Sequence, residues 1–143
     1  MEYKKFRVKT TVKSFRDLEI YKRTTILCAE LYTLRLPECP NKKQLEAELD
    51  ILRELSKHVP ENIAESFGDR YTDRILGINK LEKAAQIISD VITKLDLINI
   101  LGDDKDFKEI ILKIIRDYQI QRRKVINLKR VWSGERGTLK GKK

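Results

Sequence analysis

The sequence predicts an all-α fold, an antiparallel up-down-up-down four-helix bundle. Apolar residues recur at alternating three- and four-residue spacings in four long segments, which is the period of amphipathic helices. The chain has only 6 Gly and 3 Pro in 143 residues, too few for a turn-rich all-β fold. Because the connections between the segments are short, consecutive helices are expected to run antiparallel. We divide the chain into a basic N-terminal arm (residues 1–13), the bundle (14–132) and a basic tail (133–143).

The first predicted helix begins at Ser14, with Asp17 at the capping-box position. Its apolar residues form two stripes, which together cover about half of the helix surface or more. The first stripe consists of Leu18, Tyr21, Thr25, Cys28, Tyr32 and Leu36. The second stripe either widens the contact with the core or forms a subunit interface. The residues of this second stripe, which form the candidate oligomer interface, are Ile20, Leu27, Leu31 and Leu34.

The second predicted helix begins after the stop signal PECP (residues 37–40), and Asn41 with Gln44 gives its cap signature. The helix ends at Gly68, although Pro60 lies inside it. Proline in a helix interior costs about 3 kcal/mol and usually marks an end. Here the apolar stripe passes the proline without a phase slip, in the order Leu52, Ser56, Val59 and Ile63. We therefore predict one continuous helix, kinked near Pro60, in which the Ser56 carbonyl lacks its usual partner.

The third and fourth predicted helices are separated by the sequence LGDD. The third begins near Tyr71 or Thr72 and ends at Gly102, and either Asp103 or Asp104 caps the fourth. The core stripe of the third helix consists of Ile78, Leu81, Ala85, Ile88, Ile92 and Leu95. The core stripe of the fourth is a narrow line that consists of Phe107, Ile111, Ile114, Tyr118, Val125, Leu128 and Trp132.

Positive charge is concentrated at the two ends of the chain. The net charge is +9, of which +5 falls in residues 1–35, +4 in 101–132 and +3 in the tail, while residues 36–70 carry −3. In an antiparallel bundle both chain ends lie at the same end of the molecule, so we expect one strongly basic end and an opposite end carrying Glu38, Asp103, Asp104 and Asp106. The Gly- and Lys-rich tail has little to bury, and we expect it to be disordered by itself.

A row of arginines follows the fourth predicted helix. Arg116, Arg123 and Arg130 are seven residues apart, which places them on one face, opposite the apolar stripe. Such a row is either a solvated helix face or a set of phosphate contacts, and the basic end next to it favours a polyanion. The predicted nucleic-acid-binding residues are Arg116, Arg123, Arg130, Arg122, Lys124, Lys129, Arg16, Lys13, Arg70 and Arg74.

No motif in the sequence indicates catalysis. His58 is the only histidine, gives no triad signature, and is interpreted as a surface residue on a different helix face from Glu61 and Glu65. The acidic residues after Gly102 lack the spacing of a calcium loop. Cys28 and Cys39 are interpreted as reduced thiols. We therefore expect no metal, no cofactor and no enzymatic activity.

The sequence also gives expectations about location. The N-terminal residues contain no apolar segment that would serve as a signal peptide. No run approaches the roughly 18 uncharged apolar residues that a membrane span needs. We expect a cytoplasmic protein without a membrane partner.

Two stretches of the sequence resemble a bacterial family of four-helix-bundle proteins. This family includes proteins encoded in intervening sequences of large-subunit ribosomal RNA genes and the accessory variability determinant (Avd) of diversity-generating retroelements. The first stretch is Phe15, Asp17, Leu18 and Tyr21, and the second is Pro60, Asn62, Ile63, Ala64 and Glu65. The resemblance extends from Ser14 to about Trp132.

The resemblance implies a homopentamer of four-helix bundles with a basic surface. For the retroelement branch it implies binding to RNA or DNA and to a reverse transcriptase. For the ribosomal branch it implies no defined role. We expect a non-enzymatic nucleic-acid-binding accessory protein of a reverse transcriptase. The alternative is a helical scaffold of the intervening-sequence type that binds another protein through its apolar surface.

Overall fold

The computed structural model describes residues 18–134, and all regular structure in this range is α-helical. The four helices are α1 (Glu19–Thr33), α2 (Lys42–Asp69), α3 (Arg74–Leu101) and α4 (Lys105–Ser133). At 1.5 Å per residue, α2, α3 and α4 are each about 42 Å long, and α1 is about half that length. The predicted all-α class is confirmed.

Contacts between the helices are those of a four-helix bundle with antiparallel neighbours. The α2–α3 contact is the most extensive, α3 also packs on α4, and α1 packs on α2 and α4. The ion pairs Lys80–Glu65 and Lys94–Glu48 show that α2 and α3 run in opposite directions, since the higher number in one helix pairs with the lower in the other. For α3 and α4, the hydrogen bonds Arg122–Ser89 and Lys108–Asn99 show the same relation.

One apolar core runs along the length of the bundle. Helix α3 contributes most to it because α3 is buried against both α2 and α4. The fully buried side chains that fill the core include Leu27, Leu31, Leu45, Leu49, Leu52, Ile63, Leu81, Ile88, Leu95, Ile98, Ile111 and Tyr118. Burial of each such aliphatic side chain contributes about 1.5–3 kcal/mol relative to its exposure.

Helix α1 is shorter than the sequence predicts. Leu18 and Leu34 both have extended backbone angles, so the helix begins at Glu19 and ends at Thr33. The expected cap at Ser14 lies outside the described residues, and the predicted stripe to Leu36 runs past the helix end. Leu34 and Leu36 still pack against the core from the α1–α2 connection, since the chain that follows the helix lies along the bundle.

The stripe of α1 that is the candidate interface is mostly buried in the core, and an interface needs an exposed stripe. Ile20, Leu27 and Leu31 are at most 6% exposed and belong to the core of a single chain, while Leu34 is half-buried. The candidate oligomer interface is therefore wrong for these three residues, because a second copy has almost no surface of theirs to contact. The other stripe is the more exposed one, and Tyr32 has 44% of its surface accessible.

The more exposed stripe of α1 borders an apolar groove against α2. This groove has a volume of about 480 Å³. Its lining residues are Tyr21, Thr25, Cys28, Ala29, Tyr32, Lys57, Pro60, Glu61 and Ala64.

Helix α2 is continuous through Pro60, as predicted. It extends from Lys42 to Asp69 with the proline inside it and buried. Proline has no backbone N–H, so it cannot donate to the Ser56 carbonyl four residues earlier. The Ser56 hydroxyl donates to the Arg53 carbonyl over 2.8 Å. The kink remains a prediction.

The helix starts show which cap signals in the sequence are used. Asp73 accepts a hydrogen bond from the Leu76 N–H, so α3 begins at Arg74 and not at Tyr71 or Thr72. Asp104 accepts from the Phe107 N–H over 2.9 Å and is thus the cap of α4. Asn41 makes no cap bond; its side chain is turned towards α3, where the amide N–H donates to the Leu101 carbonyl.

The cap of α4 can be tested with a matched pair of substitutions. Asp104→Ala is expected to lower the free energy of unfolding by about 1 kcal/mol, because the Phe107 N–H loses its acceptor. Asp103→Ala removes the same charge one residue earlier, from an exposed side chain without a cap bond, and is expected to change stability by less than about 0.5 kcal/mol. Urea unfolding monitored by circular dichroism measures both. Equal losses for the two variants would show that charge at the helix start, and not the cap bond, stabilises α4.

Candidate nucleic-acid interface

The arginine row of α4 lies on the outer surface of the bundle. Arg116, Arg123 and Arg130 are all exposed, while the opposite face of the same helix buries Tyr118 and Val125 completely. Seven residues correspond to about 10.5 Å along a helix, so the row spans about 21 Å. The spacing of the core residues fixes the orientation of α4, and this orientation directs the arginines outward.

No carboxylate within residues 18–134 forms an ion pair with the basic residues of this row. Residues 116–130 contain six basic side chains and a single acidic one, Asp117. The ion pairs within residues 18–134 involve Lys42, Arg53, Lys57, His58, Lys80 and Lys94, and none of them lies on α4. The positive charge of α4 is therefore available to a ligand.

Part of the row borders a groove between α3 and α4. The groove has a volume of about 590 Å³ and is open to solvent. Two half-buried isoleucines, one from each helix, give it an apolar part, and the other lining side chains are arginines, amides and hydroxyls. The lining residues are Ser89, Ile92, Thr93, Gln119, Arg122, Arg123, Ile126, Asn127 and Arg130.

One arginine of the groove forms a hydrogen bond across it. The Arg122 Nε–H donates to the Ser89 hydroxyl oxygen over 2.7 Å, a bond that crosses from α4 to α3. The Ser89 hydroxyl in turn donates to the Ala85 carbonyl over 3.3 Å. Nε is one of five N–H donors in the guanidinium group, and the four others of Arg122 form no hydrogen bond or ion pair within residues 18–134, so an anion or a polar ligand could accept from them.

Arg70 makes aromatic contacts that the sequence did not predict. Its guanidinium carbon lies 4.7 Å from the ring centroids of Phe67, Tyr71 and Trp132. Its Nη2 also donates to the Tyr71 hydroxyl over 2.8 Å. The cation thus joins the α2–α3 turn to the last turn of α4, so its faces are covered by aromatic rings. We expect this contact to stabilise the fold, and it leaves Arg70 less available to phosphate than the exposed arginines.

The close packing around Arg70 also explains why residue 77 is a glycine. A Cβ atom at Gly77 would lie 2.9 Å from the Arg70 Cβ and 3.0 Å from its Cα. The first turn of α3 can approach Arg70 only because this position has no side chain.

The remaining predicted binding residues are distributed unevenly. Arg74 is exposed at the first residue of α3, Lys124 is exposed on α4, and Lys129 is half-buried. Arg116 is exposed on the row but does not line the groove. Arg16 and Lys13 lie outside the described residues. Of the ten predicted residues, the groove thus brings together Arg122, Arg123 and Arg130.

The opposite end of the bundle is less acidic than the sequence suggested. Glu38 forms an ion pair with Lys42, and Asp104 is occupied as a helix cap. Lys105 and Lys108 also lie in the first turn of α4, next to Asp106. The expected concentration of negative charge at this end is therefore offset by neighbouring lysines.

Other candidate groups have structural explanations. His58 is exposed as expected, but its Nδ1 lies 2.9 Å from the Glu61 carboxylate, which shows that these two residues share a face, contrary to our expectation. Glu65 instead pairs with Lys80. Burial raises the pKa of the Tyr118 hydroxyl, which keeps the phenol neutral.

The described residues hold neither a candidate metal site nor a candidate membrane span. Within residues 18–134, no three His, Cys, Asp or Glu side chains come together in a way that could hold a metal ion. None of the helices in this range combines the length and the apolar character that crossing a membrane requires.

Sequence reasoning missed the α3 side of the groove and its uncharged residues. Ser89 and Thr93 were not predicted, nor were the amides of Gln119 and Asn127. A signal for Ser89 was present, because α3 and α4 form an antiparallel pair around the connection at residues 102–104. Counting outward from that connection places residues near 89 opposite residues near 117, about one helical turn from Arg122, which the long arginine side chain can span.

Comparisons with known proteins identify no relative of this chain. Models of protein families, curated proteins and solved structures all give no match to this chain. The resemblance described above therefore remains an expectation from the sequence.

The structural role of Arg70 gives a second testable prediction. Arg70→Ala is expected to lower the free energy of unfolding by about 1–2 kcal/mol, because three aromatic rings lose a partly buried cation. Arg74→Ala removes an equal charge nearby from an exposed side chain and is expected to leave stability within about 0.5 kcal/mol. Thermal unfolding of both variants measures the difference. Equal stabilities would contradict the role of the cation–aromatic contact.

Proposed function

We propose that this protein is a non-enzymatic nucleic-acid-binding protein that contacts RNA or DNA through α4. The observation that carries the proposal is the arginine row, which forms no ion pair within residues 18–134 and continues into the groove between α3 and α4. Arginine suits phosphate because its planar guanidinium donates several charge-assisted hydrogen bonds. A row of exposed cations about 21 Å long can contact several phosphates of one strand or one duplex.

The resemblance supports a more specific form of this proposal. Residues such as Phe15, Tyr21 and Pro60 match the family pattern, and for the retroelement branch the implied partner is a reverse transcriptase. We propose that the chain acts in the cytoplasm as an accessory protein of such an enzyme and assembles with copies of itself, with five subunits implied by the resemblance. In an oligomer each arginine row would be repeated, and binding would strengthen through avidity.

A second candidate function is a scaffold that binds another protein. The apolar groove between α1 and α2 favours it, because Tyr21, Tyr32 and Pro60 line a surface cavity of about 480 Å³. Exposed apolar surface of this kind is a common feature of protein-binding sites. In this case the basic charge would serve solubility only, and nucleic acid would not compete with the protein partner.

Charge reversal on α4 tests the proposed function. The triple variant Arg116→Glu, Arg123→Glu and Arg130→Glu is expected to weaken binding to RNA by at least about tenfold. It is also expected to reduce the slope of log affinity against log salt by about two to three, because each arginine lost removes one phosphate contact. Fluorescence anisotropy over a range of salt concentrations measures both quantities.

A matched control separates the α4 surface from net charge. The triple variant Lys22→Glu, Lys43→Glu and Lys105→Glu changes the net charge equally at exposed positions that form no ion pair within residues 18–134. Its affinity is expected to fall clearly less than that of the arginine variant. If both triple variants lose affinity equally, net charge alone drives binding, and α4 is not the interface.

A further inference from the structure

The groove between α3 and α4 is narrow compared with a nucleic-acid duplex. Axes of packed helices lie about 8–10 Å apart, so a groove between two neighbours admits side chains and flat groups. A duplex presents its phosphates on a convex surface and keeps its base faces stacked inside. It can touch the exposed arginine row but cannot place a base between α3 and α4.

The chemistry of the groove differs from that of a simple phosphate-binding surface. Arg123 and Arg130 lie at its border, while Ile92 and Ile126 supply apolar surface inside it. Phosphate contacts alone do not need apolar surface, since phosphates are strongly hydrated. A base has an apolar face and a polar edge, and a mixed apolar and polar surface suits it.

The uncharged polar residues of the groove suit base edges. Gln119 and Asn127 each carry an amide with two donors and an acceptor, and Thr93 carries a hydroxyl. Amide side chains can pair with the edges of bases that are not already in Watson–Crick pairs. Their donors could also reach phosphate oxygens, but only a base edge uses the amide donors and acceptors together.

Arg122 supplies a flat surface in the same groove. Its bond to Ser89 over 2.7 Å orients the guanidinium group towards α3. Guanidinium planes stack on unpaired bases in RNA-binding proteins, and an orientation fixed in advance reduces the entropy lost on binding. A flexible lysine at this position would keep the charge but not the plane.

From these features, and on the basis of the nucleic-acid binding proposed above, we infer that the groove binds an unpaired segment of nucleic acid. The phosphates lie along Arg123 and Arg130. A base packs against Ile92, Ile126 and the Arg122 guanidinium, and its edge meets the amides. Arg116, outside the groove, contacts phosphate only. The ligand class is therefore single-stranded nucleic acid or an unpaired loop, and duplexes bind more weakly through the exposed row.

The first test compares single strands with duplexes on the full-length chain. The probes are labelled RNA and DNA oligonucleotides of about a dozen nucleotides, each alone and paired with its complement, measured by anisotropy at low salt. Single strands are expected to bind about tenfold more tightly than duplexes of the same length, and the RNA and DNA arms show whether the sugar matters. Duplexes that bind as tightly as single strands would overturn the inference and leave the proposed function intact. No binding of any probe would overturn both.

The second test uses two substitutions that keep the net charge unchanged. Arg122→Lys is expected to weaken single-strand binding about fivefold with an unchanged salt slope, because the plane is lost but the charge remains. Arg116→Lys, its matched control outside the groove, is expected to leave single-strand affinity within about twofold. Ser89→Ala, which removes the hydroxyl that accepts from Arg122, is expected to show part of the Arg122→Lys loss. Equal effects of the two lysine variants would contradict a base-binding role for the groove.

Discussion

Helix α3 is buried between α2 and α4, and the positions of the other helices depend on this packing. Its buried residues contact both neighbours, so the orientation of each neighbour is set by the same apolar helix. The core face of α4 is fixed by this contact, and the arginine row is directed outward as a consequence. The same pairing brings Ser89 of α3 opposite Arg122 of α4 and creates the groove between them.

Much of the fold could be predicted from the spacing of apolar residues and from the signals that start and stop helices. The continuous helix through Pro60 was predictable because the apolar stripe keeps its phase across the proline. Asp104 was one of two predicted caps, and the choice between it and Asp103 depends on a backbone angle that the sequence does not specify. Asn41 has a cap-forming side chain, but it is turned towards a carbonyl distant in sequence, and such a contact is visible only in the packed structure.

The parts that could not be predicted depend on contacts between distant segments. Helix α1 has two apolar stripes, and its pattern alone cannot decide which of them faces the core; the structure buries Leu27 and Leu31 and leaves Tyr32 partly exposed. Arg70 counts as one positive charge in any sequence-based sum. Three aromatic rings from two parts of the chain nevertheless give it a structural role. Charge counting located the basic helix, but not the residues that shape a site on it.

We propose that nucleic acid binds on the α3–α4 face, and the positions of protein–RNA crosslinks would show whether it does. An RNA that carries a photoreactive uridine would be irradiated with the full-length protein, and the crosslinked peptides identified by mass spectrometry. If nucleic acid binds in the groove, we expect crosslinks within residues 89–93 and 119–130, which line the groove and carry its arginines. Crosslinks confined to α1 and α2, on the side of the Pro60 groove, would contradict it.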